Sequence, residues 1–441
     1  MASSAIADRS SSDVSVAIWG KLISRVSGVL LLFCVLATSG YALSTLPGFQ
    51  SHFALIVPLV TMLLLAAHLR TLDRLVAYPL VASLVAVLTV ASALSIVANP
   101  TIPNVMTTGK FLLIIMFAYV FTCFVSYRAF SVWLVRGMIV VGLLSLVVYA
   151  LTNFAGLDLQ LPVFVNVNGM PYKIGLVFFV FDNHLFFRNT GPFWEPGIFG
   201  TYLSLTMVLL IINRSTDSKK HFLVLGLCLI STVSTASIIF FILVACLYVF
   251  NLAQTIFQRL LLSTFAVMCL IFAVLLKDPI LATLVELSPR IFSKFAVAES
   301  LSVIERVNSP AVNWALFLEK PLFGWGLSGA LSAYEVRTSV SQTSTSTYML
   351  ASLGVPGIIY TVAWIFAALR QRQLSLFARA LLVVIFIGFL NKEPHYFFPL
   401  TFIFLFYWLR SANTQRDEVN RTDRQIKMQA HPIRHQAFSS P

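Results

Sequence analysis

Long apolar runs separated by short polar segments fill most of the chain. They do not alternate at period two, so they predict helices and not the strands of a closed barrel. The runs fall at about 26–43, 53–69, 75–98, 111–126, 137–154, 196–212, 221–233, 237–253, 260–276, 346–369, 375–390 and 396–409. About 20 apolar residues cross a bilayer as a helix, so the pattern predicts an all-α polytopic membrane protein with about 12 transmembrane helices. One stretch needs a decision. Residues 222–250 form a single apolar run, about 43 Å long as one helix against a hydrocarbon core of about 30 Å. A lone tilted helix there would invert everything downstream. Two short helices meeting at the break Ser231-Thr-Val-Ser-Thr-Ala-Ser237 are expected instead, with a tip below the outer surface whose backbone must be satisfied by protein or by water in a cavity.

Composition agrees with this pattern. Of 441 residues, 58% are hydrophobic and 11% charged, whereas soluble domains carry about 25% charged residues. A soluble enzyme is excluded. The net charge of +13 is distributed unevenly: with the N-terminus cytoplasmic, 20 of the 30 Lys and Arg fall on inside segments, as the positive-inside rule requires. Residues 1–25 then form a cytoplasmic N-terminal segment, 26–409 a single transmembrane domain, and 410–441 a polar, disordered cytoplasmic tail. The start of the chain has some signal-peptide character, but its apolar run continues to Leu43 and reads as a retained first span.

All five cysteines, Cys34, Cys123, Cys228, Cys246 and Cys269, lie in apolar runs, so disulfides are not expected. The outer histidines His52, His184 and His395 sit in three different loops, and no outer Asp-x-Asp pattern exists. No metal site or cofactor is expected. The spans hold no mid-span acid, and Arg136 sits at a cytoplasmic edge, which disfavours ion-coupled transport. Charge gathers instead in two long outer loops, 155–195 and 277–345, of a length that is usually functional when ordered.

The first loop ends in Arg188-Asn-Thr-Gly-Pro-Phe-Trp-Glu-Pro-Gly197, running into a span. Glu195 there either favours a helix N-terminus or, with Arg188, brackets a rigid turn at a functional interface. The second loop holds Arg290 and Lys294 on one helix face, then Glu305-Arg306, then Trp314-Ala-Leu-Phe-Leu-Glu-Lys-Pro-Leu-Phe-Gly-Trp-Gly326.

The ordered set Arg188…Gly191…Glu195-Pro196, the Ser231–Ser237 break, Arg306 ahead of Pro321-Leu-Phe-Gly-Trp-Gly326, and Gly354-Val-Pro-Gly357 resembles the O-antigen polymerase and ligase family of bacterial envelope proteins. The resemblance implies a GT-C-like fold in the bacterial inner membrane, with two periplasmic loops roofing an outward-facing cavity. It also implies metal-independent glycosyl transfer from undecaprenyl-diphosphate-linked glycans, and a flippase and a chain-length regulator as partners. Ligases of this family carry a His before a late span. Here that segment reads Thr338-Ser-Val-Ser-Gln-Thr-Ser-Thr-Ser-Thr347, which favours a polymerase, as does Asn391-Lys-Glu-Pro-His-Tyr396, similar to a stretch of exopolysaccharide polymerases.

Transfer from a lipid diphosphate needs fixed cations for the departing charge, and Arg suits this because its planar fork binds phosphate oxygens in pairs. Arg188 and Arg306 take that role, with Arg290, Lys294 and Arg337 as further candidates. A carboxylate must orient the attacking sugar hydroxyl or accept its proton; Glu195 is the first choice, with Glu305 and Glu393 as alternatives. Phe193, Trp194, Trp314, Trp325 and Tyr348 either stack on sugar rings or belong to the interfacial aromatic belt. The hydroxyls of Ser341–Thr347 either bind glycan or cap the tenth span. His395 is read as making a structural hydrogen bond.

Overall fold

A computed structural model describes residues 35–42, 60, 78–153, 155, 160–165, 171–174, 179–181, 188–213, 218–252, 258, 301–338 and 342–410. The predicted N-terminal segment, the span at 53–69 apart from residue 60, the span at 260–276, Arg290, Lys294 and the tail beyond Arg410 lie outside the described residues. So do the side chains of Glu305 and Arg306, whose backbone is helical.

The chain is mostly helical. Among the described residues four helices are long and apolar enough to cross a membrane: α1 (Pro79–Ala98), α2 (Ile102–Phe124), α3 (Tyr127–Asn153) and α4 (Pro196–Asn213). The other described helices are α5 (Ser218–Ser231), α6 (Thr235–Leu252), α7 (Leu301–Glu319), α8 (Leu327–Arg337), α9 (Thr345–Leu353), α10 (Ile358–Leu369), α11 (Leu376–Leu390) and α12 (Pro399–Leu409). The first long loop contributes a small antiparallel sheet, β1 (Val163–Val165), β2 (Pro171–Ile174) and β3 (Phe179–Phe181), in that order. Tyr172 pairs with Phe164 on one side and Phe181 on the other. Its hydroxyl donates to Trp194 O at 2.6 Å, docking the sheet on the entry to α4.

Local chemistry sets the boundaries. The α2 helix begins nine residues before the apolar run because Thr101 accepts a hydrogen bond from Asn104 N and Pro103 sits in the first turn, both ordinary helix-start devices. The expected break in the 222–250 stretch is present between α5 and α6. Val233 there has φ 46, a left-handed conformation unfavourable for a β-branched residue. Neighbouring chain holds it: Asn189 N donates to Ser231 O at 3.0 Å and Arg188 Nε to Thr232 O at 3.4 Å.

The run 346–369, expected as one span, is two helices, α9 and α10, joined by a 3₁₀ turn at Val355–Gly357. Gly354 has φ 69, and a Cβ there would run into the backbone of Leu322. The 321–326 turn locks onto this joint: Val355 N donates to Pro321 O at 2.7 Å, Trp325 N to Ala351 O at 2.9 Å and Gly326 N to Ser352 O at 2.9 Å.

The core centres on α4 and α12, where every residue of Pro196–Ile212 and of Pro399–Leu409 is buried. One end of the bundle is tied by Tyr127 Oη to Asn213 (3.0 Å), Tyr407 Oη to Val125 O (2.7 Å), Gln371 Nε2 to Trp408 O (3.2 Å) and Arg410 Nη1 to Thr122 O (2.8 Å). Arg410, expected to open a solvated tail, is buried and lies over the Tyr78 ring. Measured from this tied end, α2 rises about 34 Å but α12 only about 16 Å. The segment 391–398 before α12 therefore lies within the depth that α2 crosses. Backbone of this kind is tolerated at such depth only where protein or cavity water satisfies it.

Candidate functional site

The end opposite the tied one gathers the segments 188–195, 232–234, 342–344 and 391–398, which lie between the α-helices, and the packing of small residues brings them together. Gly200 on α4 lies so close to Ser237 of α6 that a Cβ on it would overlap the serine side chain. This close approach puts the start of α6 against the first turn of α4. Lys392 then bridges the two, donating to Gly197 O at 2.8 Å and to Ser237 Oγ at 2.9 Å with 2% of its surface exposed. Its ammonium also lies 5.4 Å from the Phe240 ring centroid, a favourable cation–π placement.

Two carboxylates converge on the same turn. If Gly197 carried a Cβ, that atom would lie 2.5 Å from Glu393 Oε1 and 3.6 Å from Glu195 Oε1. The glycine thus leaves the space that Glu393 occupies. Glu393 is 4% exposed, whereas Glu195 at the entry to α4 is half-buried, so Glu195 is the more accessible of the two acids. Arg188 is also half-buried, and its segment is fixed to the α5–α6 break by Asn189, which donates to Ser145 Oγ at 3.2 Å and to Ser231 Oγ at 2.9 Å.

The hydroxyl-rich run holds this cluster from the other side. Thr345 Oγ1 donates to Glu393 O and accepts from His395 N, both at 2.8 Å. Ser344 and Ser346 both donate to Asn391 Oδ1 at 2.5 Å. Ser344 stands at the N-cap position of α9 but makes no side-chain capping bond, so the run braces the 391–395 segment, where a plain helix cap was one expectation.

His395 is fully buried and stacks on Phe389 with centroids 4.0 Å apart. The hydrogen bond expected of its ring is not made: among the described residues neither ring nitrogen has a partner. Burial, and secondarily the Lys392 charge, hold the imidazole well below its ordinary pKa of 6.5, so it is neutral.

The remaining candidates separate. Trp194 packs edge-on against Phe398 at the cluster's rim. Trp325 belongs to the 321–326 joint; its Nε1 donates to Leu316 O at 3.0 Å and Lys320 lies 4.1 Å over its ring. Arg337 pairs with Glu319 at 2.7 Å on an exposed surface. Phe193 and Tyr348 are fully buried, against Phe199 and Tyr396 respectively, and Trp314 is 50% exposed. Glu305 and Arg306 lie in the first two turns of α7.

Sequence reasoning missed Lys392. The signal was present: a Lys-Glu pair in the short connection between two apolar runs, with no room for both charges to reach solvent. It also missed Lys110, which stands eight residues into α2 and 5.3 Å from the Phe397 ring centroid. Among the described residues no cluster of three or more His, Cys, Asp or Glu is arranged to hold a metal ion. Comparison with protein-family models, with curated proteins and with solved structures finds no match to this chain.

Proposed function

We propose that this chain is a glycosyltransferase of the bacterial inner membrane. In this reading it polymerises undecaprenyl-diphosphate-linked repeat units into a surface or secreted polysaccharide, at the periplasmic face, with both termini cytoplasmic. The observation that carries the reading is the convergence of Glu195 Oε1, Glu393 Oε1 and the Lys392 ammonium on the first turn of α4, beside the anchored Arg188 segment.

The chemistry follows from that placement. The acceptor sugar hydroxyl gives its proton to Glu195 as its oxygen bonds to the anomeric carbon of the donor. The bond from that carbon to the lipid diphosphate breaks, and the departing diphosphate keeps the electron pair. Arg188 is assigned to stabilise the growing negative charge, and the sequence resemblance gives Arg306 the same part. Lys392 is committed to Gly197 O and Ser237 Oγ, so its part is to hold the turn and offset the acidic charge.

The test is incubation of the purified protein with lipid-linked repeats and inspection for a ladder of longer products. Arg188→Ala and Glu195→Gln should each cut the rate by about 10² to 10⁴. A single transfer to a lipid A core without a ladder would indicate a ligase. Two substitutions that leave the ladder unchanged would refute the assignment.

A transporter of lipid-linked units is a second reading. Lys392 and Glu393 are buried charges at helix depth, where ion-coupled carriers place theirs. It predicts movement of intact units with every glycosidic bond unchanged.

A further inference from the structure

The polarity of α7 is reversed. Its protein-facing side carries Ser309, Asn313 and Leu316, all fully buried. Ser309 Oγ lies 2.8 Å from Tyr334 Oη and accepts from Thr343 N at 3.1 Å, and Asn313 Nδ2 donates to Thr347 Oγ1 at 3.2 Å. The opposite side presents Ala311, Trp314 and Leu318, and the turn that follows continues it with Leu322 and Phe323. All five are exposed, Leu318 by 61% and Leu322 by 67%. A helix that borders water turns its polar side outward. Polar side chains turned to the protein and large apolar ones turned away are the arrangement expected where the surrounding solvent is hydrocarbon.

The end of α7 sets its depth. Lys320 Nζ donates to Asn99 Oδ1 at 3.0 Å, and Asn99 Nδ2 to Gly324 O at 3.1 Å. Asn99 directly follows α1 and stands two residues before Thr101, which caps α2. The α7 helix therefore ends level with the junction of two helices long enough to cross a membrane. Length excludes a crossing by α7 itself. Residues 307–318 carry no charge, with Arg306 before them and Glu319-Lys320 after. That stretch rises about 18 Å against a hydrocarbon core of about 30 Å. With charges at both ends and one end at the membrane boundary, the helix keeps both ends at headgroup level only by lying along the surface.

We propose that α7 and the turn after it lie along the bilayer surface at the untied end, with Trp314, Leu318, Leu322 and Phe323 sunk into the boundary between headgroups and acyl chains. Lys320 and the Arg337–Glu319 pair stay among the headgroups. The Trp314 ring, apolar with one N–H donor, suits that boundary. This placement holds whether the chain transfers sugars or moves lipid-linked units. Bilayer contact seats the helix whose Ser309 and Asn313 hold the 343–347 hydroxyls, and those hydroxyls brace the 391–395 segment.

The full chain is placed in nanodiscs of phosphatidylcholine, either plain or brominated on the acyl chain near the ester, and Trp emission is read with and without iodide in the buffer. Subtracting the emission of Trp314→Phe isolates Trp314. That difference should be lost in the brominated lipid and survive iodide. Adding Leu318→Trp to Trp314→Phe should bring lipid-quenched emission back, one turn further along the same face. Should Trp314→Phe fail to fold, Leu318→Trp in the otherwise unaltered chain reads the same face by its gain of lipid-quenched emission. Quenching by iodide would show the face in water and overturn the placement. Protection from both quenchers, as a second copy or another protein seated there would give, overturns it equally.

Discussion

Replacing Lys392 by Met tests the charge balance of the buried cluster. The ammonium is 2.8 Å from Gly197 O, and Glu393 Oε1 is 2.5 Å from the point a Cβ on the same residue would occupy. Through the backbone geometry of one residue, the two charges are within about 8 to 9 Å of each other. At an effective dielectric of about 20, that separation gives an attraction of about 2 kcal/mol. The substitution keeps the length of the side chain and removes two charge-assisted hydrogen bonds, each about 1.5–3 kcal/mol. It also removes the several kcal/mol cost of burying an ammonium, and these two terms largely offset. Gly197 O keeps a donor in Thr201 Oγ1 at 3.0 Å. Lys392→Met is therefore expected to destabilise by about 2 kcal/mol, the lost attraction to Glu393. Adding Glu393→Gln should recover most of it. Equilibrium unfolding in mixed detergent–dodecyl sulfate micelles measures both variants. A double variant as unstable as the single one would show that the two charges do not balance each other, and the reasoning would fail.

Two further outcomes follow from the same packing. Gly200→Ala drives a Cβ into the Ser237 side chain and should cost about 1–3 kcal/mol by overpacking, with loss of activity as Lys392 loses its seat; Gly200→Ala with Ser237→Gly should restore stability in a thermal melt. His395 is neutral in the fold and titrates with an ordinary pKa of about 6.5 when unfolded. Below that pH the unfolded chain binds a proton that the folded chain refuses. Stability should fall as pH drops below about 6.5, and His395→Phe should flatten that limb in melts taken at successive pH values; an unchanged acid limb would refute it.

Much of the architecture was legible from the chain alone. The start of α4 at Pro196, the break near Ser231–Ser237 and the α11 helix were all expected, because each is a local matter of apolar run length and punctuation. The early start of α2 was not, because Thr101 and Pro103 act through capping, which hydropathy does not register. The split at Gly354 was hidden because both of its halves are apolar. What breaks the helix is a contact with Leu322, distant in sequence.

The candidate site divides in the same way. Arg188, Glu195, Glu393 and His395 were named as individual residues, since a charged or aromatic residue in an apolar chain stands out by type. Their grouping was not, and neither was the central place of Lys392, which depends on helices of unequal length meeting at one end. Composition and periodicity determined that the chain is helical and suited to a membrane, because those properties sum over local residues. Only the tertiary structure decided which charges are buried, that a glycine on α4 makes room for a carboxylate from the 391–398 segment, and that Lys110 faces outward. Burial and convergence are set by partners far apart in sequence, and no local pattern records them.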